Sequence, residues 1–341
     1  VDLEAVGAAL SEISLPVLSL ALLTRGAAFL ALGLRSRATV APGGGHPWGD
    51  LVRSHLLGYT GNNVLPLRLG ELLRIDYLAR QGGLTRSFLV GTVAAERLMD
   101  TLLLLLLFAV TVPTVLGQSL LAGSFPLLAG GTGTALAVAL VAVRWRGLPA
   151  LVEGVVRPVH PGAARTLAGV AERSAEGLSA LFHARWGPPA LAATLLYWLL
   201  GMASLRIVMA AFGLELPFYA PAVVLAVTAL GTALPSSPAF VGTYHYFSAL
   251  GISVLGVEEA TAASFALVAH AVAFVPFTLV GLAVFAGSLR VWVRGAAHGR
   301  RGRPGSRGEE EPGVPGRTEA GETVAADVPS DLARATRETG G

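Results

Sequence analysis

Five stretches of this chain, roughly 14–34, 88–116, 120–143, 188–212 and 262–289, are apolar over about the 20 residues that a helix needs to cross a bilayer core. Segments of this kind satisfy their backbone only as helices in lipid, so the chain is bound to an all-α, polytopic integral membrane fold. Composition agrees: 53% of residues are hydrophobic and 14% charged, and the mean hydropathy is +0.63, outside the range of ordinary soluble domains. Two further apolar regions, about 54–80 and 220–256, are long enough to enter the bilayer but carry Pro, Gly and polar residues near their midpoints. Each reads better as a re-entrant hairpin of two half-helices than as one span.

Several function classes fall away at once. There is no cysteine, which excludes disulfides, thiolate metal sites and cysteine nucleophiles. The formal charge of +3 comes from arginine, since the chain has no lysine, and most arginines lie in short loops beside apolar spans. That placement fits a membrane partner and not nucleic acid. No nucleotide-binding loop is present, so direct ATP hydrolysis is not expected, and no cofactor or metal is called for.

Short arginine-rich loops stay in the cytoplasm. By that rule Arg35, Arg37 and Arg53 mark one inside loop, Arg80 and Arg86 another, and the connection 144–187 a third. The connections at 117–124, 213–217 and 257–260 fit outside. The first hairpin then enters from the cytoplasm and the second from the opposite face. The pattern of span, hairpin, span occurs twice, at 14–116 and 188–289, and the span at 120–143 between them makes the copies antiparallel. Each hairpin has Leu-Pro followed by polar residues and Gly, in "NNVLPLRLGE" (62–71) and "GTALPSSPAFVGTYH" (231–245). Two inverted repeats with broken helices are a transporter architecture.

The expected domains are therefore a transmembrane unit over 1–292 and a disordered cytoplasmic tail over 293–341, which is rich in Gly, Pro, Glu and Arg. An amphipathic helix is expected near 163–182. The opening "VDLEAVGAALSEIS" reads as a lead-in to the first span, and a further helix upstream is expected.

Ionisable groups at membrane depth are costly and mark cavities or pairs. Arg25 lies mid-span. Glu96, Arg97 and Asp100 lie on one long helix, where Arg97 reaches Asp100 at i+3 or Glu71 on the hairpin. These groups read either as a polar cavity or as a salt-bridge cluster that locks hairpin to helix. A helix broken at Pro66 leaves free N–H groups for an anion, with Asn62 and Asn63 beside it and Arg68 and Arg74 offering forked donors to phosphate. The second tip supplies Ser236, Ser237, Pro238, Gly242, Tyr244 and His245, and His245 opposite Glu71 would form a proton-sensitive pair. Arg206 reads as a snorkelling residue and His270 as structural.

The series Asn62, Asn63, Pro66, Arg68, Gly70, Glu71, followed by Glu96, Arg97, Asp100 and then "LPSSPAFVGTYHYFSALGI", resembles the transmembrane flippase domain of lysylphosphatidylglycerol synthases, over about residues 1–290. The resemblance implies movement of a phospholipid or lipid-linked product between leaflets. Relatives often carry Pro-Gly-Gly-x-Gly-x-x-Glu in the second hairpin. Here Ala239 and Phe240 follow Pro238, and His245 stands in place of the Glu. The soluble aminoacyltransferase domain has no counterpart after residue 290.

The sequence thus points to a multi-pass protein of the cell (inner) membrane, C-terminus cytoplasmic, that moves an anionic phospholipid or lipid-linked phosphate and is a transporter, not an enzyme. A membrane-embedded transferase acting on a lipid-linked substrate, or a scaffold subunit of a lipid-modifying or glycan-assembly system, are the alternatives. The apolar helix faces are compatible with a homo-oligomer.

Overall fold

The computed structural model describes residues 14–65, 69–116, 147–233 and 237–301, with a few residues between 130 and 141. The expected span at 120–143, the lead-in at 1–13 and most of the expected tail fall outside the described residues. The chain divides into two units, Val1–Trp292 and Val293–Gly341. Among the described residues all regular structure is helical. The protein is an all-α, multi-pass membrane protein.

Among the described residues three helices are long and apolar enough to cross a membrane. They are α1 (Leu15–Val40), which starts with Pro16 in its first turn, α7 (Gly187–Ala211) and α10 (Glu259–Arg301). With 26 and 25 residues, α1 and α7 measure about 39 and 37 Å at 1.5 Å per residue. The helix α4 (Arg86–Leu116) has 31 residues. In the loop before α10, Glu258 accepts the N–H groups of Ala260 and Thr261 at 3.0 and 3.1 Å. These bonds start the helix and hold the Glu258 carboxyl below its usual range.

The two interrupted segments each form a pair of short helices. The first pair is α2 (Trp48–Val64) and α3 (Gly70–Arg80), the second α8 (Ala220–Ala233) and α9 (Thr243–Ser253). Their 17, 11, 14 and 11 residues give about 25, 16, 21 and 16 Å, all short of a core about 30 Å thick. Within the first pair Gly58 lies against Gly70 and Arg74, and Gly61 against Gly70. Early residues of one helix meet late residues of the other, so the pair is antiparallel. A side chain at Gly70 would strike the Gly58 carbonyl. Asn62 Oδ1 accepts the Gly70 N–H at 2.9 Å and caps α3 across the break. In the second pair Gly251 packs on Val224 and Gly231 on Phe247, again antiparallel.

Among the described residues the most extensive helix contact is α1 on α7. Ser204 donates to the Ala21 carbonyl at 3.0 Å, while Ala38 packs near Ala190, so the two run antiparallel. Buried Ala21, Ala28, Ala31, Ala190 and Ala193 let their backbones approach. Around this axis the neighbours are exchanged in pairs. The first hairpin packs on α10, where Tyr59 donates to the Ala273 carbonyl at 2.9 Å and Asn63 to Thr278 Oγ1 at 2.7 Å. The second packs through α8 on α4.

One expectation is corrected at the end of α1. The apolar window closes near 34, which placed Arg35 in a cytoplasmic loop, but the helix continues to Val40 and Arg35 is fully buried. A buried arginine stays helical where carboxylates neutralise it, as described below.

The connection to α7 contains α5 (Leu148–Val156) and α6 (Pro161–Ser179), which continues as a turn of tighter helix over Ala180–Phe182. The helix lies where an amphipathic one was expected. It crosses α4 at Gly91 and Gly177, and a Cβ at Gly177 would strike the Phe88 carbonyl. Gly169 on the same helix faces open space. Gly177→Ala is therefore expected to cost about 1–3 kcal/mol through helix separation, whereas Gly169→Ala leaves stability unchanged or slightly raised. Thermal unfolding of the two variants in detergent checks this contrast.

Candidate functional site

Six helices bring ionisable side chains into two groups spaced along α1. The first surrounds Glu96, which is fully buried. Its carboxylate accepts Arg74 Nη1 at 2.7 Å and Nη2 at 3.0 Å, Ser36 at 2.8 Å, Thr39 at 3.1 Å and Arg35 Nη2 at 3.3 Å. Arg35 Nη1 also donates to Asp100 Oδ1 at 2.8 Å. Ser36 Oγ accepts from Arg74 at 2.7 Å and lies 2.7 Å from His55 Nε2. Since its one proton goes to Glu96, His55 is the donor of that pair, through an Nε2–H tautomer.

Arg97 closes the group on its more exposed side, with Glu71 Oε1 at 3.3 Å and Asp100 Oδ2 at 3.6 Å. Glu71 Oε2 lies 3.8 Å from Arg74. Three arginines (Arg35, Arg74, Arg97) therefore face three carboxylates (Glu71, Glu96, Asp100), and the formal charges cancel. Of the two sequence readings for these groups, the contacts are those of the salt-bridge lock. It joins α1, α3 and α4, and Trp198 of α7 adds a bond to Asp100 Oδ1 at 3.0 Å.

The second group surrounds Arg25. Ten residues separate Arg25 from Arg35 on α1, about 15 Å along the axis. Arg25 lines a cavity of about 210 Å³. Rings from both hairpins and from α7 close it, among them Tyr59, Tyr197, Trp198, Phe240 and Tyr244. Tyr59, Tyr197 and Tyr244 line the cavity together with Arg25, whose guanidinium carbon sits 5.7 Å from the Tyr197 ring centre. Gly201 leaves room for it, since a Cβ there would come within 3.4 Å of Nη1. Arg25 Nε has no hydrogen-bond partner. Among the described residues that line the cavity there is no carboxylate and no histidine.

The remaining residues singled out in the sequence have other surroundings. Asn62 caps α3, and Asn63 reaches α10. At the second tip Ser237 donates to the Val241 carbonyl at 2.6 Å. Pro238 opens a single turn in which Ala239 and Phe240 have φ of 54° and 57°, before Gly242 at 85°. Two side-chain-bearing residues thus hold a left-handed backbone, and the turn carries Phe240 into the cavity wall. His270 Nε2 donates to the Ala239 carbonyl at 2.8 Å, a structural role as expected. His245 packs edge-on against His270, with ring centres 4.6 Å apart, while Glu71 faces Arg74 and Arg97. Arg206 donates to the Leu216 carbonyl at 2.8 Å at an exposed helix end, in keeping with snorkelling. Pro66, Arg68 and Ser236 lie outside the described residues.

Sequence reasoning missed Arg35, Ser36 and His55 in the lock, and Tyr59, Tyr197 and Trp198 in the cavity. The available signal was an aromatic polar pair in the middle of an apolar span at 197–198, and a tyrosine one turn before the Asn pair.

The family model described as lysylphosphatidylglycerol synthase TM region matches residues 1–281. The chain belongs to this family. Membership ties the fold to a membrane region associated with lipid handling. Comparison with curated proteins and with solved structures gives no match.

The two groups differ in what their removal does. Glu96→Gln leaves Arg35 and Arg74 without their shared counter-charge and is expected to lower stability by about 3–5 kcal/mol. Arg25→Gln removes a cation that no carboxylate depends on, so stability is expected to hold or rise. Unfolding midpoints of the purified variants in detergent check both.

Proposed function

We propose that this protein moves a lipid with an anionic, phosphate-bearing headgroup between the leaflets of the cell (inner) membrane, and that the Arg25 cavity is its headgroup site. The observation that carries the reading is the uncompensated cation between the two helical hairpins. A phosphate oxygen there gains a charge-assisted bond in a low-dielectric setting, and Tyr244 lines the same wall.

The short lengths of α2, α3, α8 and α9 support hairpins that enter the bilayer and return on the same face. The order of long helix, hairpin, long helix occurs twice, α1 pairs with α7 in antiparallel fashion, and each hairpin packs on the last long helix of the other copy. That exchange supports an inverted repeat with the cavity near its axis, from which a headgroup is exposed to one leaflet and then the other while the acyl chains stay in lipid. The arginine-rich loops support a cytoplasmic C-terminus.

Within this reading Arg74 and Glu96 hold the hairpin on α4 and leave the headgroup to Arg25. Arg68 and the Ser236–His245 tip remain candidates for the route into and out of the cavity. Relocation rather than chemistry is favoured because neither a carboxylate nor a histidine lines the cavity among its described residues.

A leaflet-sidedness assay in proteoliposomes with labelled anionic and polyprenyl-phosphate lipids tests the proposal. Wild type is expected to relocate at least one of them, and Arg25→Gln to lose most of that rate. No relocation of any lipid would refute the transport reading.

A further inference from the structure

We infer that the Arg25 cavity selects a lipid whose headgroup is a singly charged phosphodiester with an uncharged, hydroxyl-bearing far side, and that it rejects headgroups carrying an ammonium. The inference rests on the headgroup-site reading above and names the chemical class that site takes.

The charge count of the wall comes first. Arg25 is the only ionised side chain among the described residues that line the cavity. Asp100 reaches the wall through Trp198, and its oxygens already face Arg35, Arg97 and the indole N–H. One negative charge therefore neutralises the described wall. A phosphomonoester dianion would leave a second charge with no cation to meet it, and burying an unpaired charge in a site of low polarity is unfavourable.

An ammonium fares worse. No carboxylate stands on the described wall to receive it, and the ring nearest to acting as a cation acceptor, Tyr197, is already under the Arg25 guanidinium. Two cations would then share one small space. His245 and His270 sit behind Tyr244, ring against ring, and offer no negative charge either.

The far side of the headgroup meets oxygens and rings. The hydroxyl protons of Thr228 and Ser204 are engaged with the Val224 and Ala21 carbonyls, which leaves their oxygens as acceptors. Phe240 and Trp198 offer flat faces. Acceptors and ring faces together suit a polyol, whose hydroxyls donate and whose C–H groups lie on the rings. At about 210 Å³ the cavity is below the roughly 300–1,000 Å³ of pockets that enclose whole drug-sized ligands, so it takes a headgroup and leaves acyl chains outside.

Titration calorimetry of the full chain in detergent with dihexanoyl lipids tests this without requiring transport. Phosphatidylglycerol is expected to bind at least about tenfold more tightly than phosphatidic acid, phosphatidylethanolamine or lysyl-phosphatidylglycerol. Arg25→Gln is expected to lose that preference, and Arg25→Lys to keep most of it, which also reports that the site folds. Equal binding of an ammonium-bearing headgroup, or full affinity in Arg25→Gln, would overturn the inference. So would equal affinity for chain-free glycerophosphoglycerol, which would make the ligand a soluble phosphodiester. Selective, Arg25-dependent binding in a protein that relocates nothing upholds the inference and refutes transport. Relocation that ignores headgroup charge upholds transport and overturns the inference.

Discussion

The Glu96 carboxylate, buried between Arg35 and Arg74, is the interaction on which the rest of the arrangement depends. It takes donors from α1 and α3 onto α4, and so fixes the first hairpin against two long helices. Each of these ions alone would be costly at membrane depth. Together with Glu71, Arg97 and Asp100 they form a neutral set whose polar atoms largely satisfy one another. The value of such a set lies less in net stability than in uniqueness, because any other register of α3 on α4 strands a charge. Its neutrality also has a consequence for function: the lock has no charge left over for a ligand.

Arg25 stands apart from that balance. It lies about 15 Å from Arg35 along the same helix, in a cavity walled by aromatic rings from both hairpins. Trp198 connects the two regions, with its ring in the cavity wall and its N–H on Asp100. The molecule thus holds a charge-balanced layer beside a cavity whose described wall carries one cation.

The long apolar spans that the structure describes and the two interrupted segments were legible in the sequence, since a span depends on length and hydropathy alone. The pairing of Arg97 with Asp100 and Glu71 was legible as one of two readings, because helical spacing brings the first pair together. Arg35 was not, because an apolar window stops at the first arginine and cannot see that Glu96 and Asp100, on another helix, make that arginine tolerable inside. Arg74 looked free for phosphate for the same reason: its partner Glu96 lies 22 residues away on α4. Arg25 was visible as a mid-span charge, but its tyrosines come from α2, α7 and α9, and only tertiary packing assembles them. The left-handed turn at Ala239 and Phe240 was hidden because neither residue type signals that conformation.

The central claim is that Arg25, and not the arginines of the lock, meets the lipid phosphate. Solid-state NMR of the protein in phosphatidylglycerol bilayers, reading magnetic dephasing of arginine guanidinium nitrogens by lipid phosphorus, measures this directly. The account requires strong dephasing at Arg25, absent in Arg25→Gln, with Arg35 and Arg74 unaffected. Dephasing at Arg74 or Arg35 with none at Arg25 would contradict it.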